Sequence, residues 1–79
     1  MTVPIQGFAF QPAEIRVKAG DRVTWTNQDP TTHDATGDGW STGPLPAGAT
    51  ATVTFTTPGV YTYRCTIHPS MTGTIYVDP

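Results

Sequence analysis

The chain has a single cysteine in 79 residues, and that scarcity removes whole classes of protein at once. No internal disulfide can form, and there are too few thiolates for a four-cysteine zinc site or an iron–sulfur cluster held by four cysteines. Positive charge is also scarce. Arg16, Lys18, Arg22 and Arg64 are the only basic side chains, they are scattered, and the formal net charge is -2, which argues against a nucleic-acid surface. No apolar run approaches the roughly 20 residues that span a bilayer, so no membrane segment is read. No secretory leader is read either, and Met1 reads as an expression start on a mature fragment, so the compartment is not written in these residues. A chain this short buries only about 60% of its unfolded-state surface. Its core is marginal without a staple, and with disulfides excluded a metal is the best candidate.

What is present suits strands and turns. Threonine is abundant, and glycine and proline each occur eight times, a composition that gives little to a helix. Val3 to Phe10 reads as a first strand bent at Gly7. Glu14 to Lys18 alternates with period two and places Ile15 and Val17 on one face. Ala19-Gly20-Asp21 signals a tight turn, and Arg22 to Asn27 alternates again, so the two segments are predicted to pair as a hairpin with Val23 and Trp25 turned inward. From Gln28 to Gly48 the pattern fades into loop, with a short strand predicted around His33 to Thr36 and with Trp40 assigned to the core rather than to a surface patch. Thr50 to Thr56 resumes the alternation with Ala51, Val53 and Phe55 inward. After Thr57-Pro58-Gly59, Val60 to Cys65 puts Tyr61, Tyr63 and Cys65 on one face, and Gly73 to Val77 closes the chain with Ile75 and Val77 inward. Short strands separated by regular turns, without a helical period, predict one all-β sandwich domain over 1–79, of about six to eight strands.

The chemistry-bearing residues are few and concentrated. Cys65, His68 and Met71 form a Cys-x₂-His-x₂-Met run directly after a strand, and His33 stands far upstream in a loop. Taken singly, each has an ordinary explanation: a buried thiol as a small hydrophobe, a satisfied or surface histidine, a gap-filling methionine. Taken together they use the only cysteine, both histidines and the one internal methionine of the chain. One thiolate, two imidazoles and a thioether form the ligand set of a mononuclear blue-copper site, which suits both Cu(II) and Cu(I) without large rearrangement. No histidine is left to act as a general base, so the reading is an electron carrier and not an enzyme.

These segments resemble the cupredoxins, the type 1 blue-copper family that includes plastocyanin, pseudoazurin and amicyanin. Phe10 to Asn27 is similar to the family's "F-x-P-x-x-I-x-V-x-x-G-D-x-V-x-W-x-N" stretch, His33-Asp34-Ala35-Thr36 to the segment bearing the first histidine ligand, and Gly59 to Met71 to the "G-x-Y-x-Y-x-C-x-x-H-x-x-M" ending. The two-residue gap between His68 and Met71 has the amicyanin spacing, although Ile67 and Ser70 stand where amicyanins carry proline and phenylalanine. The resemblance implies a Greek-key sandwich with trimmed middle strands. It implies one copper ion held by His33, Cys65, His68 and Met71. It also implies a tie between Asp34 and Thr66 that braces the ligand loops, with the aspartate lowering the reduction potential where relatives often have asparagine. Further, it implies an electron exit at His68 flanked by Pro69 and Ser70, with Pro30, Pro44, Leu45 or Pro46 as further rim residues. Donor and acceptor proteins would dock there on a monomer, in the periplasm or outside the cell.

Two other functions fit the same residues. A copper-binding or copper-delivery module would use the same ligands without a reversible couple, and a metal-free β-sandwich interaction module would keep only the scaffold. A multicopper oxidase or nitrite reductase domain needs further histidines, and a binuclear copper centre needs a second cysteine; neither is available.

Overall fold

Alternating apolar positions set the strands, and the pairing of those strands decides where the metal-friendly residues go. A computed structural model describes residues 1–79 as eight strands: β1 (Thr2–Ile5), β2 (Glu14–Lys18), β3 (Asp21–Asn27), β4 (Thr36–Gly37), β5 (Trp40–Ser41), β6 (Thr50–Phe55), β7 (Gly59–Arg64) and β8 (Thr72–Asp78). They form two sheets, one ordered β1-β3-β6 and the other β2-β8-β7-β4-β5. No helix is present that could cross a membrane.

Every strand of useful length contributes inward residues at period two, as a half-buried sheet requires. Ile15 and Val17, Val23 and Trp25, and Ile75 and Val77 are all buried, and with Val3, Ile5, Phe10, Phe55 and Tyr63 they meet between the sheets. Aromatic rings fill the middle. Trp25 stacks on Trp40 at a centroid distance of 5.3 Å, and Tyr63 meets Trp25 edge-on at 5.5 Å. Trp25 Nε1 donates to the Tyr63 hydroxyl at 3.3 Å, so the buried indole keeps a partner. The indole nitrogen of Trp40 is buried without one.

The structure corrects the hairpin predicted for Glu14–Asn27. Strands β2 and β3 lie in different sheets: β2 runs parallel to β8, and β3 runs parallel to β1 and antiparallel to β6. The turn between them crosses from one sheet to the other and is tied to both. Ala19 N–H donates to Asp78 O at 2.7 Å and Gly20 N–H to Phe55 O at 2.7 Å, while Lys18 N–H donates to Asp21 Oδ2 at 2.8 Å. The inward faces of the two segments therefore look at each other across the core instead of sharing one face. A turn signal reports that the chain reverses, and both arrangements satisfy it.

Two smaller differences matter for the site. The first strand ends at Ile5, and the chain turns at Gly7 and Phe8 before bridging back from Phe10 to Ile5. The strand expected around His33 to Thr36 is the two-residue β4, with His33 itself on an isolated bridge to Leu45. Strands β4 and β5 are two residues each, which is the trimming expected of the middle of the chain.

Candidate metal centre

Cys65 follows β7 directly, and its side chain continues the inward face of Tyr63, so the thiol is fully buried. The backbone then makes a small closed loop. Cys65 N–H donates to Met71 O at 3.0 Å and Met71 N–H donates to His68 O at 2.9 Å. These two bonds fold the segment from Cys65 to Met71 back on itself and place Met71, buried, in the same cluster as Cys65. His68 at the loop's outer bend is half-buried, and Pro69 and Ser70 beside it are exposed.

His33 arrives from the other side, and buried polar groups hold its loop. Asn27 ends β3 on the inward face, where apolar residues precede it, and it is fully buried. Its Nδ2 donates to Thr31 O at 2.9 Å and Leu45 O at 2.7 Å, and its Oδ1 accepts from Asp29 N–H at 2.9 Å. His33 pairs with Leu45 through both backbone groups, at 3.1 and 2.7 Å. Its ring is fully buried, with Nε2 at 2.8 Å from Asp29 Oδ2. A carboxylate only accepts, so Nε2 carries a proton, and in the neutral imidazole the free lone pair is on Nδ1.

That lone pair points at the thiol. Cys65 Sγ lies 3.8 Å from His33 Nδ1 and 3.9 Å from His68 Nδ1, and the three candidate ligand atoms all stand within 4.8 Å of one another. A metal about 2.3 Å from sulfur and about 2.0–2.1 Å from imidazole nitrogen, with donors spread trigonally, requires S···N separations of about 3.8 Å. The thiol therefore already stands from each imidazole nitrogen at the spacing a metal needs, and the soft-plus-imidazole set is the one copper favours.

Two further ties brace the centre. Asp34 N–H donates to Cys65 Sγ at 3.4 Å, and its carboxylate accepts Thr66 N–H at 2.8 Å on Oδ1 and the Thr66 hydroxyl on Oδ2. The His33 segment and the cysteine loop are thus joined by Asp34 and Thr66. The Asp29 carboxylate accepts Gly7 N–H at 2.8 Å and Phe8 N–H at 2.9 Å as well as the His33 proton. The Phe8 amide bond is the largest influence holding Asp29 below its ordinary pKa of 3.8; burial opposes it, and the Gly7 amide and His33 assist. Asp29 is therefore an ionised anchor beneath His33.

Sequence reasoning passed over Asn27, Asp29 and Phe8. Asn27 carried a usable signal, since the inward positions of β3 run Val23, Trp25, Asn27. Asp29 and Phe8 sit in turns, where no periodicity points to a partner. Among the suggested rim residues, Pro30, Pro44 and Pro46 are exposed, but Leu45 is buried and belongs to the core. Exposed apolar area near the ligands comes instead from Ile67 in the loop and from Phe8, at 48% and 49% exposure. The largest surface concavity, on the outer face of the five-stranded sheet beside Thr62, Arg64 and Thr74, contains none of the four candidate ligands.

Comparison with known proteins agrees with this geometry. The profile of copper binding proteins of the plastocyanin/azurin family matches residues 1–78. Amicyanin-alpha of Methylorubrum extorquens is 41% identical over 83 aligned residues, covering 96% of this chain and 70% of the relative. Amicyanin of Paracoccus denitrificans is 34% identical, covering 99% of this chain and 65% of the relative. Among solved structures, a Cu(I) amicyanin variant superposes with a TM-score of 0.94 at 29% identity, covering 99% of this chain and 81% of the other. A reduced amicyanin variant at pH 4 superposes at 0.95 with 30% identity, with the same coverage of each chain. Fold, donor set and sequence agree: the chain belongs to the plastocyanin/azurin family of copper-binding proteins.

Proposed function

We propose that this chain is a one-electron carrier, rather than an enzyme, that holds a type 1 copper ion with His33, Cys65, His68 and Met71. The observation that carries the reading is the buried thiol facing both imidazole nitrogens at 3.8 and 3.9 Å. A bound copper ion supplies reversible one-electron exchange between Cu(II) and Cu(I). The protein's part is to keep the donors still. His33 is locked by Asp29 and by the Leu45 bridge, and the Cys65 loop is locked by its own backbone bonds and by Asp34. Donors held in place in this way leave little to reorganise when the charge changes, which favours fast transfer.

Residues 1–79 act as one domain in this reading. Electrons pass at His68, the half-buried ligand, with Pro69 and Ser70 beside it and the exposed side chains of Ile67 and Phe8 supplying apolar contact. A small apolar patch around a redox centre suits brief docking of donor and acceptor proteins. A periplasmic or extracellular monomer follows from the family likeness. The amicyanins of Methylorubrum extorquens and Paracoccus denitrificans are longer than this chain, which covers 70% and 65% of them.

The test is a visible spectrum and a voltammogram of the copper-loaded chain, with Cys65→Ser as control. An intense thiolate-to-copper band lost in the variant, together with a reversible couple, is the expected result. Loaded protein without the band would end the type 1 assignment. A band without a reversible couple would favour a copper-delivery role instead.

A further inference from the structure

Phe8 is the only non-glycine residue with a positive φ, at 56°, and it follows Gly7 at 64°. Two successive positive φ values mark the primed two-residue turn that closes a narrow hairpin, where glycine or asparagine is the usual second residue. Here Gln6 N–H donates to Ala9 O at 3.0 Å and Ile5 bridges Phe10 around the turn. A bulky side chain in this conformation is an outlier that persists only when its surroundings force it. The forcing group is Asp29, which accepts both turn amides while also holding His33. The strained turn and the first histidine therefore hang on one carboxylate.

The strain puts the phenyl ring against the metal centre. Its edge contacts are nearly perpendicular to both candidate ligands: 5.0 Å and 84° to His33, 4.9 Å and 83° to His68. His33 has other restraints, in its burial and its bond to Asp29. His68 has few. It sits half-buried on a loop, its one side-chain polar contact is with Cys65 Sγ, and its aromatic neighbours are Phe8 and His33. Without an aromatic neighbour, a half-exposed side chain with so little to hold it would exchange rotamers within nanoseconds.

Resting on the metal reading above, the geometry points to Phe8 as a positioning residue that holds His68 in its metal-facing orientation before the ion arrives. The second turn position carries phenylalanine at a steric penalty because the ring fixes a ligand that the loop itself leaves free. The structure thus separates two effects that usually travel together. Phe8→Gly relieves the backbone and removes the clamp, Phe8→Ala removes the clamp and keeps the strained φ, and Phe8→Tyr keeps the ring edge.

The experiment uses the full chain without and with copper. In the apoprotein, NMR relaxation of the His68 imidazole is expected to show a restrained ring in the natural chain and in Phe8→Tyr, and a mobile one in Phe8→Ala and Phe8→Gly, with His33 restrained throughout. Apo melting temperature serves as the control for folding, and Phe8→Gly should equal or exceed the natural chain. In the loaded protein, copper loss to excess chelator should accelerate about tenfold in Phe8→Gly, the size expected from losing two edge contacts, and stay unchanged in Phe8→Tyr. Equal His68 mobility in the natural chain and Phe8→Gly overturns the proposal, and so does unchanged copper loss. If the natural chain shows no copper–thiolate band, the metal reading fails by itself, and the apoprotein relaxation still decides whether Phe8 holds His68.

Discussion

Asp29 and His33 are buried side chains four residues apart in one loop, and Oδ2 of the first lies 2.8 Å from Nε2 of the second. Because a carboxylate cannot donate, this single contact fixes the tautomer and turns Nδ1 toward Cys65. Asp29 stays ionised well into acid because the Phe8 and Gly7 amides and His33 all favour its charged form over the opposing effect of burial.

The first prediction concerns acid. The pKa of Asp29 is lowered on folding, so its contribution to stability is present above 3.8 and lost as pH falls through the lower folded value. Asp29→Asn is expected to be less stable than the natural chain at neutral pH, with the gap narrowing below that range. Denaturant titrations of the two apoproteins across this range check it. A gap that stays constant into strong acid would show that the charge of Asp29 is not what matters.

A second prediction concerns potential. Asp34 places a carboxylate where it bonds Thr66 and where its own amide touches Cys65 Sγ. Negative charge beside the centre favours Cu(II), so Asp34→Asn should raise the reduction potential, on the order of tens of millivolts, and less in high salt. Voltammetry of both loaded proteins measures the shift, and a lower potential in the variant contradicts the account.

Tyr63 supplies the alkaline counterpart. Burial raises its pKa above 10.0, and the bond from Trp25 Nε1 partly opposes this. The sign is opposite to that of Asp29: the contribution is complete below 10.0 and is lost as pH rises through the folded value, because the unfolded chain ionises first. Tyr63→Phe leaves the Trp25 nitrogen unpaired and should lose about 1–3 kcal/mol at neutral pH. That deficit should shrink in strong alkali. Urea titrations on either side of the transition decide it.

The last prediction is steric. Gly73 lies opposite Tyr63 in the β7–β8 ladder, and a Cβ there would overlap the ring atoms and hydroxyl of that tyrosine. Gly73→Ala should destabilise by about 1–3 kcal/mol, the usual range for overpacking. Combining it with Tyr63→Ala should recover most of the Gly73→Ala loss, so a strictly additive double-mutant cycle would refute the contact.

Much of this architecture was legible from alternation. Ile15, Val17, Val23, Trp25, Ile75 and Val77 were each predicted inward from period two, and all are buried. What alternation could not supply was which strand lies beside which. Glu14–Lys18 and Arg22–Asn27 read as a hairpin and fold into opposite sheets, since a tight turn serves either outcome. Asp29 and Phe8 fell outside any period. Phe8 matters through contacts across at least 21 residues of chain, and Asp29 matters because it joins that turn to His33.

The chain by itself determined the donor chemistry: one thiol, two imidazoles and an internal thioether, with Cys65, His68 and Met71 brought close by short spacing alone. Local alternation likewise determined an all-β sandwich. Tertiary structure decided everything that depends on non-local closure. It brought His33 Nδ1 to within 3.8 Å of Cys65 Sγ, set the tautomer through Asp29, and turned Phe8 onto both imidazoles. Spacing along the chain constrains only neighbours, whereas a metal centre built from two distant segments exists only once the sheets have packed and their buried polar groups have found partners.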